Sequence, residues 1–174
     1  MQFYSGFSFC DESSLFQEYL DTSDLSIAGF SYGAIAAFLK AQENLKNNIR
    51  VDKLQLFSPA FFQTKNEKFK KLQLMGYRRS SQNYLEEFRK LCYQPYKEEK
   101  ILKTTPTKLE ELEELLFFQW RAQDIQQLVD RGVNVEVYLG GRDHIIDVEA
   151  ARVFFKERAT LIYIKNANHM LQTN

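Results

Sequence analysis

The sequence predicts an α/β fold, a mostly parallel sheet of about five strands covered by helices on both faces. Three observations carry this. Short apolar runs of strand length recur at 2–9, 25–29, 53–57, 134–140 and 161–165. Helix-forming stretches lie between them, most clearly at 34–46 and 148–157. Alternation of this kind makes successive βαβ units, and each crossover returns the chain to run parallel to the strand before it.

The elements follow in order. Gln2–Phe9 is aromatic-rich, with Gly6 near its end. Asp11 to Ser14 supply helix-start residues, and Ser14 with Gln17 has capping-box spacing. Leu15, Phe16, Tyr19 and Leu20 then fall on one helical face. Leu25–Gly29 is a second strand, and Ala34–Lys46 a helix rich in Ala, Leu, Lys and Glu. Lys53–Phe57 is a third strand, stopped by Ser58-Pro59. Residues 61–103 hold one glycine, many charges and aromatics at helical spacing, such as Tyr84 and Phe88. This segment is expected to be a helical lid inserted into a single domain spanning 1–174, or to run to about 118 if the next helix belongs with it. That helix is announced by Thr105-Pro106 and by Thr107-x-x-Glu110 as a capping box. Gly132 stands where a helix near 124–131 should end. Asn134–Gly140, Val148–Glu157 and Leu161–Lys165 complete the pattern as strand, helix and strand.

Composition narrows the function. A chain of 174 residues supports one domain with a full core. No stretch approaches the roughly 20 apolar residues of a membrane span. The N-terminus lacks a basic segment followed by an apolar run, so no secretory signal is expected. Cys10 and Cys92 are the only cysteines and form no CxxC pair. Free thiols in a reducing cytoplasm are therefore expected, with no metal and no cofactor. The net charge of zero hides an asymmetry. Residues 1–30 carry five acids and no Lys or Arg, whereas 65–103 carry eleven basic residues against five acidic ones. A basic surface can meet nucleic acid, an anionic membrane or an acidic protein, and its simplest alternative is a solvated helix face. No nucleic-acid-binding motif accompanies it.

The chemistry sits at Gly29-Phe30-Ser31-Tyr32-Gly33. This is the G-x-S-x-G pattern, placed between a strand and a helix, where a sharp turn exposes the serine. A serine hydroxyl needs a base, usually His, and an acid that fixes the imidazole tautomer. In this chain order the acid comes next and the histidine last. Asp143 follows a strand in Gly140-Gly141-Arg142-Asp143, and His169 follows the last strand in Asn166-Ala167-Asn168-His169. His144 adjoins the acid and is poorly placed as base; Asp147 is the second candidate acid but better suited to cap the next helix. The Tyr32 amide should be one oxyanion donor, and the Gly6-Phe7 segment the other.

These segments resemble the α/β-hydrolase superfamily across the whole chain, which implies a minimal α/β-hydrolase fold. More narrowly, Tyr4-Ser5-Gly6-Phe7, Gly-Phe-Ser31-Tyr-Gly and the short length resemble the biotin-pathway carboxylesterases. Those enzymes demethylate pimeloyl-[acyl-carrier protein] methyl ester. The short BioV type is nearest, with BioG and BioH as larger relatives. The resemblance implies a Ser31–Asp143–His169 triad, with Phe7, Tyr32 and Phe88 around substrate. It also implies a monomer with an acyl-carrier protein as partner. Carriers are acidic and hold substrate on a phosphopantetheine arm, so Arg78, Arg79, Arg89, Lys90 and Arg121 become candidate carrier contacts. Phe61, Phe88 and Phe118 are candidate walls for the acyl chain. Larger relatives carry His-Gly-Trp where Ser5-Gly6-Phe7 stands, which keeps the backbone donor and changes the pocket wall. Two other functions fit the same residues: a small esterase or thioesterase without a carrier, and a non-catalytic binding protein on a hydrolase scaffold.

Overall fold

The computed structural model describes residues 1–98 and 102–174. Five parallel strands form one sheet: β1 (Gln2–Tyr4), β2 (Ser26–Phe30), β3 (Lys53–Phe57), β4 (Asn134–Gly140) and β5 (Thr160–Ile164). They lie side by side in sequence order. Among the described residues six α-helices accompany them: α1 (Tyr32–Lys46), α2 (Glu67–Arg79), α3 (Ser81–Tyr93), α4 (Leu109–Phe117), α5 (Ala122–Asp130) and α6 (Val148–Lys156).

Side-chain alternation along the strands divides the core in two. Ile27, Leu54, Leu56, Val135, Val137 and Leu139 face one side, where they meet Phe38 of α1, Leu128 of α5 and Phe155 of α6. Ala28, Phe30, Phe57 and Tyr138 face the other. There they meet Phe9, Phe16, Met170 and the end of α3 at Cys92 and Tyr93. Phe16 stacks on Phe57 at 4.7 Å between ring centroids, with both rings fully buried. Truncating a buried Phe of this kind costs about 3–5 kcal/mol, a large part of a domain's net stability.

Two expectations are corrected by the fold. The first strand was expected to run to Phe9, but only Gln2–Tyr4 pair with β2. Beyond Tyr4 the chain leaves the sheet, with Gly6 so close to the Phe30 ring that a Cβ there would lie 2.6 Å from it, and with Ser8 at a φ of 70°. The helix expected over Leu15 to Leu20 is a single 3-10 turn, Glu12–Leu15. Phe16 is buried against Phe57 of β3 and Tyr19 packs on Tyr138 of β4, and the Gln55 side chain fastens residues 19–21 beyond the turn. Gln55 donates to the Tyr19 carbonyl at 2.8 Å and accepts from the Asp21 amide at 2.8 Å.

The segment between β3 and β4 carries α2 to α5. Residues 99–101 of the expected insertion lie outside the described residues. The start of α4 is displaced by one position from Thr107/Glu110, and only the backward half of a capping box forms. Lys108 is the N-cap, and its amide donates to the Glu111 carboxylate at 2.7 Å. Gly132, with a φ of +86°, ends α5 as expected. Among the described residues, no helix is long and apolar enough to cross a membrane.

Candidate active site

The site is built at the ends of β2, β4 and β5. Ser31 stands between β2 and α1 with φ 53° and ψ −114°. A non-glycine residue at positive φ costs on the order of 1–3 kcal/mol and persists only where its surroundings fix it. Three backbone hydrogen bonds do so. The Ser31 amide donates to Phe57 O at 2.9 Å, and its carbonyl accepts from Ala34 and Ala60 at 3.1 Å each. At about 1 kcal/mol net per bond, they offset the strain. The flanking glycines are required by space. A Cβ on Gly29 would collide with the Gly33 carbonyl, and one on Gly33 with the carbonyl of Tyr4.

The Ser31 hydroxyl lies 3.0 Å from His169 Nε2. His169 Nδ1 lies 2.6 Å from Asp143 Oδ2. The side chains of both His169 and Asp143 are fully buried. Asp143 Oδ1 accepts the amides of Ile145 at 2.7 Å and Ile146 at 3.3 Å, which orients the other oxygen toward the imidazole. The Phe30 ring packs against His169 at 5.1 Å. All three residues expected from sequence are thus joined in one hydrogen-bonded chain. Such an arrangement can pull the proton from the serine hydroxyl and hold the imidazole in the tautomer that accepts it.

His144 is exposed and makes no part of this chain. Asp147 is the N-cap of α6. Its carboxylate accepts from the Ala150 amide at 3.2 Å and from the Thr64 hydroxyl at 2.9 Å. The Thr64 bond is the larger cause holding its pKa below the usual value. The loop bearing His169 is held by a residue whose role the sequence did not announce. Buried Asn168 donates to the Tyr93 carbonyl at 2.8 Å and accepts from the Gln172 amide at 3.0 Å. An Asn beside a candidate histidine was its only signal.

Neither the Tyr32 nor the Phe7 amide is spent on a backbone hydrogen bond among the described residues. Both residues line one shallow cleft with Gly6. The Tyr32 hydroxyl hydrogen-bonds the Glu114 carboxylate of α4, and burial foremost raises its pKa. Phe7 also borders a larger cavity of about 370 Å³. Phe62, Phe69, Phe88, Leu112 and Ile146 are among its apolar walls, and Lys65, Gln73, Glu87 and His144 among its charged or polar members. Phe88 meets Phe7 edge to face at 5.8 Å. Ser31, 5% exposed, contributes no wall to this cavity.

Other expected residues are placed differently. Phe61 is buried against Phe154 and Phe155, and Phe118 packs on Trp120, so both belong to the core and not to this cavity. Arg78, Arg79 and Arg121 are exposed, and Lys90 is exposed but paired with Glu87 at 2.6 Å. Arg89 is half-buried, with its Nε enclosed, and is not a free surface cation. Lys68 and Lys71 share the outer face of α2 with exposed Leu72 and Met75. Cys10 is exposed and Cys92 buried; burial pushes the Cys92 thiol well up, away from thiolate chemistry. Among the described residues, no group of three or more His, Cys, Asp or Glu side chains could hold a metal.

Solved structures resemble this one over most of its length. A hydrolase from Oleispira antarctica superposes with a TM-score of 0.65 over 85% of this chain and 59% of its own, at 11% identity. The fold is that of the α/β-hydrolases. BioG from Haemophilus influenzae matches 98% of this chain and 88% of its own, with a TM-score of 0.60 and 11% identity. Carboxylesterase CesB from Bacillus subtilis matches 97% of this chain and 62% of its own, with a TM-score of 0.52 and 17% identity. The chain spans little more than half the length of several of these hydrolases. No protein-family model matches the sequence, and no curated protein matches it.

Proposed function

We propose that this chain is a serine carboxylesterase of the BioV type, hydrolysing the methyl ester of pimeloyl-[acyl-carrier protein] to the free acid and methanol. The observation that carries the esterase reading is the buried Ser31–His169–Asp143 chain at 3.0 and 2.6 Å. The Ser31 oxygen attacks the ester carbonyl while His169 Nε2 takes its proton. The carbonyl electron pair moves onto oxygen, where the Tyr32 and Phe7 amides receive it. The pair then returns, the methoxy bond breaks, and His169 protonates the departing oxygen to methanol. A water deprotonated by His169 attacks the acyl-enzyme, releasing the carboxylate and restoring the serine. No cofactor enters.

The substrate assignment rests on three supports. The resemblance of Tyr4 to Phe7 and of the elbow is one, and the near full-length match to BioG is another. The third is the outer face of α2, where Lys68, Lys71, Arg78 and Arg79 flank exposed Leu72 and Met75. Cations around an apolar strip suit an acidic helical carrier. The cavity of about 370 Å³ is bordered by Phe7 and not by Ser31; its size, near the lower end of ligand sites, suits the linear acyl chain and not the reacting ester.

The test uses purified protein and the carrier-bound methyl ester. Methanol release is expected. KM for that substrate should rise several-fold between about 50 and 500 mM salt, because surface charge attraction is screened. Hydrolysis of p-nitrophenyl butyrate should be insensitive to the same change. Equal kcat/KM on free dimethyl pimelate, with a salt-independent KM, would assign the chain to the carrier-free esterases instead.

A further inference from the structure

The esterase reaction makes no use of Glu12, yet this acid is fully buried. It opens the 3-10 turn just beyond the Gly6–Phe7 segment. No Lys or Arg pairs with it among the described residues. Burying a carboxyl group without a countercharge is costly, so the hydrogen bonds it makes must matter. Its Oε1 accepts the Gly6 amide at 2.6 Å. The Gly6 carbonyl accepts the Phe9 amide at 3.1 Å, so both backbone polar atoms of Gly6 are tied down. Gly6 also presses against the Phe30 ring, and Phe30 precedes Ser31 and packs on His169. Gly6 is therefore fixed relative to the serine and histidine from two sides. The next amide along the chain is that of Phe7.

We infer that Glu12 is a positioning residue: its carboxyl group holds the Ser5–Gly6 peptide, and so sets the loop from which the following amide, that of Phe7, faces the developing oxyanion. This rests on the reading of Phe7 as an oxyanion donor. Glu12 touches no substrate and acts only through that peptide. Removing its acceptor loosens the Ser5–Gly6 peptide, so the Phe7 amide that follows it shifts, and a displaced donor stabilises the transition state less while leaving ground-state binding unchanged.

The test compares Glu12→Gln, which keeps an oxygen of the same reach, with Glu12→Met, which removes it at similar volume. Kinetics use p-nitrophenyl butyrate, and a trifluoromethyl ketone reports affinity for the tetrahedral state. Glu12→Met should lose kcat by about 10²-fold, the scale of a misplaced catalytic group. Its KM should stay near wild type, and its affinity for the ketone should fall in parallel with kcat. Glu12→Gln should stay within about tenfold of wild type, because a neutral acceptor retains most of the bond. If Glu12→Met does not fold, Glu12→Asp takes its place, since it keeps the charge and withdraws the acceptor by one methylene. A folded Met or Asp variant with wild-type kcat and ketone affinity overturns the inference. Equal losses in the Gln and Met variants, with KM and melting temperature moving too, overturn it as well. Fluorophosphonate labelling of Ser31 in the wild-type protein is run alongside. Its absence would sink the esterase reading itself, separately from the role of Glu12.

Discussion

Ser31→Ala is expected to lower kcat for p-nitrophenyl butyrate by on the order of 10⁴- to 10⁶-fold. The substitution removes one oxygen, the atom that lies 3.0 Å from His169 Nε2. Little else should change. Alanine has the same backbone preference as serine at a φ of 53°, and the three hydrogen bonds that fix the turn are all made by backbone atoms. The melting temperature should therefore stay within a few degrees of wild type. Rates and thermal denaturation measured on one preparation check both halves. A Ser31→Ala protein that hydrolyses the ester at the wild-type rate rules out the serine as nucleophile.

Asp143→Asn should cost about 10⁴-fold in kcat, the scale expected when an imidazole is held in the wrong tautomer. The local geometry gives the reason. Asp143 Oδ1 already accepts two amides, those of Ile145 and Ile146. An asparagine keeps those bonds by leaving its oxygen there, which turns its NH₂ group toward His169 Nδ1. That nitrogen must then accept, so the proton moves to Nε2. Nε2 can no longer take the serine proton. The side chain is fully buried and nearly isosteric, so folding should survive the change. Steady-state kinetics and proton NMR of the imidazole N–H together test this. Activity within tenfold of wild type would mean that Asp143 does not set the tautomer.

Much of this site was legible in the sequence because its chemistry is local or ordered. The elbow is a pentapeptide whose glycines are demanded by contacts within a few residues, apart from the Tyr4 carbonyl. Asp143 and His169 follow strands whose apolar runs are plain, and β3 and β4 have the bounds read from them. The features that escaped notice depend on long-range contacts. Residues 15–20 have helical spacing, yet Gln55, 34 or more residues away, captures their backbone and their rings pack on β3 and β4. Asn168 acts through Tyr93, 75 residues earlier. Glu12 reads as a helix-start acid until the fold shows it buried against Gly6. The basic segment was legible only in part. Charge is visible in sequence, but its exposure is not, and Arg89 turned inward while Lys68 and Lys71 lie on the surface.

The proposed esterase chemistry rests on the Ser31–His169–Asp143 geometry, and the narrower substrate on resemblance and on the surface of α2. These two levels separate experimentally, since a missing carrier response would leave the chemistry at Ser31 intact. The most direct test of that chemistry is reaction with a fluorophosphonate, followed by intact mass and peptide mapping. One equivalent should attach to Ser31 in the wild-type protein, with none on Ser31→Ala. An unmodified wild-type protein, or an adduct on any other residue, would contradict the assignment of Ser31 as nucleophile.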